Sequence, residues 1–258
     1  QGLFNLACAD DPDVQRDSLI ALMLLATVTS HRAAFVQLLP ALPFAQLCGT
    51  CLVEIEHACA RLLFLVARAG ADVSTTLHEV AGQPLRELLC SEHAVVRTTA
   101  AQAAGRLARH HEAGRVALLD AGVLHPLLRL LEDDAADEAA RRGAAVAMRG
   151  LAASSARHES LVQPKPLRAL LAPVVALPRQ PAVGCAALGA LAALAEPGDV
   201  REALLSSLLP AVGRAGLLEA IEKHAPALAD AHLPAATLLA VLASVCLTSL
   251  APAAGGVR

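Results

Sequence analysis

VRTTAAQAAGRLA, residues 96–108, and ARRGAAVAMRGLA, residues 140–152, can be laid on one another without a gap. Three further stretches join them: VQRDSLIALMLLA from Val14, IEHACARLLFLVA from Ile55 and VGCAALGALAALA from Val183. The five begin 41, 41, 44 and 43 residues apart, and each closes on alanine. Such a period marks an architecture in which each unit buries its apolar side only against its neighbours. With the first residue of each stretch as position 0, positions 0, 4, 7, 8 and 11 share one side of a helix that turns about 100° per residue. They are Val96, Ala100, Ala103, Ala104 and Leu107 in the third copy, and Ala140, Ala144, Ala147, Met148 and Leu151 in the fourth. The other copies are apolar there too, apart from Ser18. Much of the stripe is small, as helices that approach one another closely require.

A second element keeps the same period: PFAQLCG from Pro43, PLRELLC from Pro84, PLLRLLE from Pro126 and PLRALLA from Pro166. Proline suits the first turn of a helix, where its missing N–H would have had no partner, so each is expected to open a helix. Short apolar segments closing on Gly82 and Gly122 precede two of these positions, and a third such segment closes on Gly216. Glycine there permits the left-handed turn that ends one helix and redirects the chain. The expected unit is three helices: one short, a second, and a longer third that carries the stripe.

GVLHPLLRLLEDD, from Gly122 to Asp134, and AALGALAALA, from Ala186 to Ala195, resemble the second-helix opening and third-helix ending of the armadillo repeat family, with HEAT repeats as the runner-up. The resemblance extends over most of the chain and implies an all-α fold, a right-handed α-solenoid of about five armadillo-type three-helix repeats. The expected layout is a truncated first repeat over 1–30 and repeats over 31–70, 71–110, 111–155 and 156–196. An irregular capping repeat over 197–250 and a tail over 251–258 complete it.

Composition agrees with an all-helical core. There is no Trp or Tyr and only four Phe, while 55% of the residues are hydrophobic, so Ala, Leu and Val must build the interior. The formal charge of −3 gives no global reason to expect nucleic acid or an acidic membrane as partner. Seven cysteines, an odd number set mostly within apolar helical patterns, fit buried thiols in a reducing compartment; the expected location is cytoplasmic, cytoskeletal association included. No charged-then-apolar leader is visible in the sequence. The uncharged run 233–257 is interrupted by Pro234 and Pro252 and reads as a last solenoid helix rather than a membrane span.

Chemistry-bearing constellations are few. Cys48, Cys51, His57 and Cys59 have the content of a zinc or redox site, but Cys59 falls on core position 4 of a third helix, where cysteine serves as a small apolar side chain. His110 and His111 sit at a helix exit, where a positive or polar group is favourable. Ser154 and Ser155, followed by His158 and Glu159, evoke a nucleophile with a base, yet serines are common in helix-to-helix turns. No phosphate loop, no HExxH and no basic–aromatic interleaving is present. The chain therefore reads as a non-enzyme with no cofactor and no metal.

The armadillo resemblance implies a concave groove along the third helices, where the family binds extended peptides through an asparagine. That position here holds Leu24, Leu65, Arg106, Gly150 and Ala193, so the grip on the peptide backbone is missing. The groove side offers arginine instead. Arg61, Arg68, Arg106, Arg109, Arg142 and Arg149 project opposite the core stripe, with Arg97 and Arg141 flanking it. Two readings stay open: a solvated helix face, or a groove for an acidic or helical segment of a protein partner. On the second, the chain is a protein–protein interaction scaffold or adaptor. The alternatives are a structural subunit of a large cytoskeletal or ciliary assembly, and a regulatory domain of a longer protein.

Overall fold

In the computed structural model, residues 2–68, 74–110, 112–133, 135–154, 158–161, 163–175 and 180–195 are described. The expected capping repeat, the tail and the run 233–257 lie outside them. The described residues are helical, with no strand among them. The chain divides into two compact units, Gln1–Arg157 and His158–Arg258.

In the first unit the stripe-bearing segments form α2 (Pro12–Thr27), α5 (Val53–Val66), α7 (Ala94–His110) and α10 (Glu138–Ala152). They follow α1 (Gly2–Leu6), α3 (Arg32–Leu38), α4 (Phe44–Cys48), α6 (Ser74–Leu89), α8 (Glu112–Asp120) and α9 (Leu124–Glu132) in the chain order that the numbering gives. Local chemistry sets the ends. Asp11 accepts from the N–H groups of Asp13 and Val14 with Pro12 at the first helical position of α2, and Asp137 accepts from the Ala140 N–H to open α10.

Each stripe-bearing helix packs on the next: α2 on α5, α5 on α7 and α7 on α10. All five stripe positions are buried in α5, α7 and α10. In α2, which has only α5 of these helices against it, the face is turned. Leu19, Leu22 and Ala26 are buried, while Leu25 is 41% exposed. Ser18, the polar residue of the stripe, is buried with its hydroxyl donating to the Val14 carbonyl at 2.6 Å. Burial of the hydroxyl therefore leaves no unpaired donor.

The seam between α7 and α10 is the tightest. A Cβ placed on Gly150 would lie 2.6 Å from the Ala108 methyl, and one on Gly143 would lie 3.0 Å from that of Ala101. Packed carbon does not tolerate the first distance and would accept the second only if a neighbour shifted, so backbone meets side chain directly here.

The repeat over 111–155 follows the three-helix expectation. Gly122 has φ +79°, its N–H donates to the Leu119 carbonyl, and the Val123 N–H donates to that of Leu118. This is a Schellman ending, and it separates α8 from α9. The repeat over 71–110 departs from the expectation, because Gly82 and Pro84 both lie inside one continuous helix, α6. Gly82 is there for contact, since a Cβ on it would lie 2.8 Å from that of Ala121. With the glycine helical, Pro84 opens nothing and only removes one hydrogen bond from α6. Pro43, by contrast, stands immediately before α4, and Pro126 lies in the first turn of α9.

In the second unit, α11 (His158–Leu161), α12 (Pro164–Val175) and α13 (Pro181–Ala195) are described. Pro166 is in the first turn of α12, as expected, and α12 packs on α13. Val183, Ala187, Ala190, Leu191 and Leu194 are buried, as their positions on the stripe require.

Candidate functional site

The side of α5, α7 and α10 away from the stripe carries the arginines. Arg61, Arg106, Arg109, Arg142 and Arg149 are exposed or half-buried, as is Arg68 just beyond the end of α5. Among the described residues none of the six has a carboxylate within salt-bridge distance. On the same side of α2, Arg16 is paired with Asp13 at 2.8 Å and Asp17 at 2.9 Å.

Phe64 organises the centre. The Arg106 guanidinium lies 4.9 Å from its ring centroid and that of Arg61 lies 5.7 Å away, both within cation–π range. Burial pushes the Arg106 guanidinium below its ordinary value, and the charges of Arg68 and Arg109 push it further the same way. The imidazole of His57, one turn before Arg61, is also held below its usual range, first by burial and then by Arg61. These shifts share their causes: burial first, then positive charge gathered on a partly desolvated face.

A recess of ≈ 500 Å³ opens beside Phe64, with Arg106, Arg109, Arg142, Glu138 and Val146 in its wall. Sequence reasoning missed Phe64, Glu138 and Val146. The available signal was Phe64 itself, one of four phenylalanines, placed on the polar side of its helix.

Arg97 and Arg141 do not belong to this face. Both occupy position 1 of their stretches and turn back to the chain before them, Arg97 to the loop after α6 and Arg141 to the end of α9. Arg97 donates to the carbonyls of Ser91 and Glu92 at 2.8 Å, and Arg141, 4% exposed, donates to that of Leu131. Arg32 does the same for α2, through the Ala26 and Thr27 carbonyls. A cation at a helix C-terminus satisfies carbonyls that lack an intrahelical partner and complements the helix dipole.

The cysteine and serine constellations also come apart. Cys48 and Cys59 are both buried, and the neighbouring Cys59 together with burial holds the Cys48 thiol far above its ordinary value. Cys51 is exposed, and His57 stands beside Arg61 instead. Among the described residues no group of three or more His, Cys, Asp or Glu is placed to hold a metal ion. Ser154 is fully buried and donates to Glu112 at 2.8 Å, so its hydroxyl is a structural tie. Ser155 and His111 lie outside the described residues. No single helix among the described residues is long and apolar enough to cross a membrane.

Several solved structures share this fold. A computationally designed armadillo repeat protein for modular peptide recognition superposes with a TM-score of 0.74 over 94% of this chain and 98% of its own, at 22% identity. A designed armadillo repeat protein in complex with a (KR)4 peptide does so with a TM-score of 0.72, over 94% and 97%, at 21% identity. The chain folds as an armadillo-repeat solenoid. An engineered protein solved by crystallography gives a TM-score of 0.75 over 94% of this chain and 96% of its own, at 21% identity. No protein-family model matches the sequence, and no curated protein does either. The armadillo fold thus rests on the packing of the helices, while the arginine-bearing face belongs to this chain's own residues.

Proposed function

We propose that this armadillo chain is a non-catalytic protein-binding scaffold, an adaptor that takes an acidic segment of another protein along the arginine-bearing face of α5, α7 and α10. The supporting observation is the stack of Arg61 and Arg106 on Phe64, amid guanidiniums that have no carboxylate partner among the described residues. A solvated surface scatters its arginines among acids, as Arg16 is scattered; here they are held together at the cost of mutual repulsion. A guanidinium offers five donors in a planar fork that fits carboxylates, so Arg106 selects charge at the position where asparagine would select backbone.

The test is binding of a glutamate-rich peptide library by the full chain and by the double variant Arg106→Ala with Arg149→Ala. The variant should bind more weakly by about 2 to 4 kcal/mol, because hydrogen bonds to charged groups are worth about 1.5 to 3 kcal/mol each. Its melting temperature should not fall, and wild-type binding should weaken as salt rises. Unchanged affinity at low salt would reduce the arginines to solvated surface.

A second reading, a structural subunit of a larger assembly, is favoured by a different observation. Leu24, Leu25 and Val28 are 58%, 41% and 45% exposed near the end of α2. Neighbouring large apolar side chains left in water are what a permanent neighbour would cover. Aggregation of the isolated chain, cured by Leu24→Lys with Leu25→Lys, would support this reading.

A further inference from the structure

The recess beside Phe64 differs from the rest of the arginine-bearing face in its charge balance. Arg106, Arg109 and Arg142 contribute three guanidiniums to its wall and Glu138 contributes one carboxylate, an excess of two positive charges. Glu138 lies one helical turn before Arg142 but is not within salt-bridge distance of it. Phe64 and Val146 give the same wall an apolar part, against which the half-buried Arg106 lies, while Arg109 and Arg142 stay exposed. Arg106 is further fixed by its stacking on the Phe64 ring, so its fork is oriented before any ligand arrives.

A ligand group that matches this recess must bring two negative charges and several acceptors within a space of ≈ 500 Å³. One carboxylate neutralises half of the excess and presents two oxygens. Two carboxylates from neighbouring residues would have to be confined together against their own repulsion. A phosphomonoester carries about −1.5 to −2 at neutral pH on three acceptor oxygens attached to one atom. We infer that the recess bounded by Phe64, Arg106, Arg109 and Arg142 is a subsite for a phosphorylated side chain in the bound segment. The inference rests on the acidic-segment reading above and refines it: the face recruits negative charge in general, and this recess recognises a phosphorylated residue within it.

The test compares three peptide libraries that differ only at a fixed central residue, phosphoserine, glutamate or serine, with glutamate-rich flanks. Binding to the full chain is followed by fluorescence anisotropy at physiological salt. The phosphoserine library is expected to bind about ten-fold or more tighter than the glutamate library, the worth of one added charge-assisted hydrogen bond. The double variant Arg109→Ala with Arg142→Ala should erase that advantage. Should that variant lose its helical circular dichroism, Arg142→Lys, which keeps the charge and loses the fork, should still lower the advantage several-fold.

Equal affinity for phosphoserine and glutamate in the wild-type chain, or an advantage that survives in the variants, would overturn the inference. If the glutamate library still binds through Arg106 and Arg149 in that case, the acidic-segment reading stands and only the subsite falls. If neither charged library binds better than the serine library, both fall together.

Discussion

The Arg106 guanidinium sits over the ring of Phe64, 4.9 Å from its centroid, so a side chain of α7 is held against one of α5 across the boundary between successive repeats. Position 10 of the repeat therefore points back toward the preceding layer. Gly150, at the same position of α10, faces Ala108 of α7 in the same sense. Phe64→Leu should leave far-ultraviolet circular dichroism unchanged. It should weaken the glutamate-rich library by about 0.5 to 1 kcal/mol, the usual worth of a partly exposed cation–π contact. Affinity equal to wild type would mean that the ring does not orient Arg106 for binding.

Gly150→Ala should destabilise the chain by about 1 to 3 kcal/mol, since the new methyl would lie 2.6 Å from the Ala108 methyl and 3.1 Å from its backbone carbonyl carbon. Gly2→Ala is the control. Nothing lies within 4 Å of a Cβ there, and its effect should stay within about 0.5 kcal/mol. Urea denaturation of the two variants beside the wild type measures both.

Ser154→Ala should cost about 1.5 to 3 kcal/mol, because the buried hydroxyl donates to the Glu112 carboxylate. The same variant should bind every peptide library as the wild type does. A variant of unchanged stability but altered binding would return Ser154 to a functional role.

His57 gives a pH dependence with a definite sign. Its imidazole is held below the ordinary value in the folded chain, by burial first and by Arg61 second, whereas in the unfolded chain it titrates near about 6.5. Above that pH both states are neutral and His57 contributes nothing. As pH falls through about 6.5 the unfolded chain takes up the proton first, so stability declines until the folded imidazole is protonated too. Thermal melts of His57→Gln and the wild type should coincide at neutral pH and diverge below about 6.5, the wild type being the more pH-sensitive.

Thiol labelling checks the placement of the cysteines. Brief alkylation followed by peptide mass spectrometry should modify Cys8, Cys51 and Cys90, which are exposed, and should reach Cys48 and Cys59 only after unfolding. Rapid native labelling of Cys59 would contradict its burial.

The fold was legible because the stripe is a property of single helices. Val96, Ala100, Ala103, Ala104 and Leu107 repeat a pattern that periodicity detects, and burial follows it in α5, α7, α10 and α13. The division of α6 was not legible. Gly82 before Pro84 has the same residue types as Gly122 before Pro126, but Gly122 takes positive φ while Gly82 stays helical against Ala121, in the turn after α8, a contact between distant residues that local sequence does not show. The site shows the same limit. Six of the eight arginines lie on the face their helical positions assign, but Arg97 and Arg141 sit at position 1, where a long side chain can reach back to carbonyls of the preceding turn. Phe64 was invisible as a site residue because its partner Arg106 comes from the next repeat.

The glycines of the seam have a bearing on what the opposite face can measure. Helix axes in contact lie about 8–10 Å apart, the lower end being reached only where side chains are small. With Gly143 and Gly150 on α10 against Ala101 and Ala108 on α7, the gauge between two rows of guanidiniums is set from behind, by methyl groups that are missing. On the proposed binding reading, a ligand laid across Arg106 and Arg149 would be read against a ruler whose graduations belong to the interior. Adding one carbon at the seam would change which charge spacing fits without altering a single residue that the ligand touches.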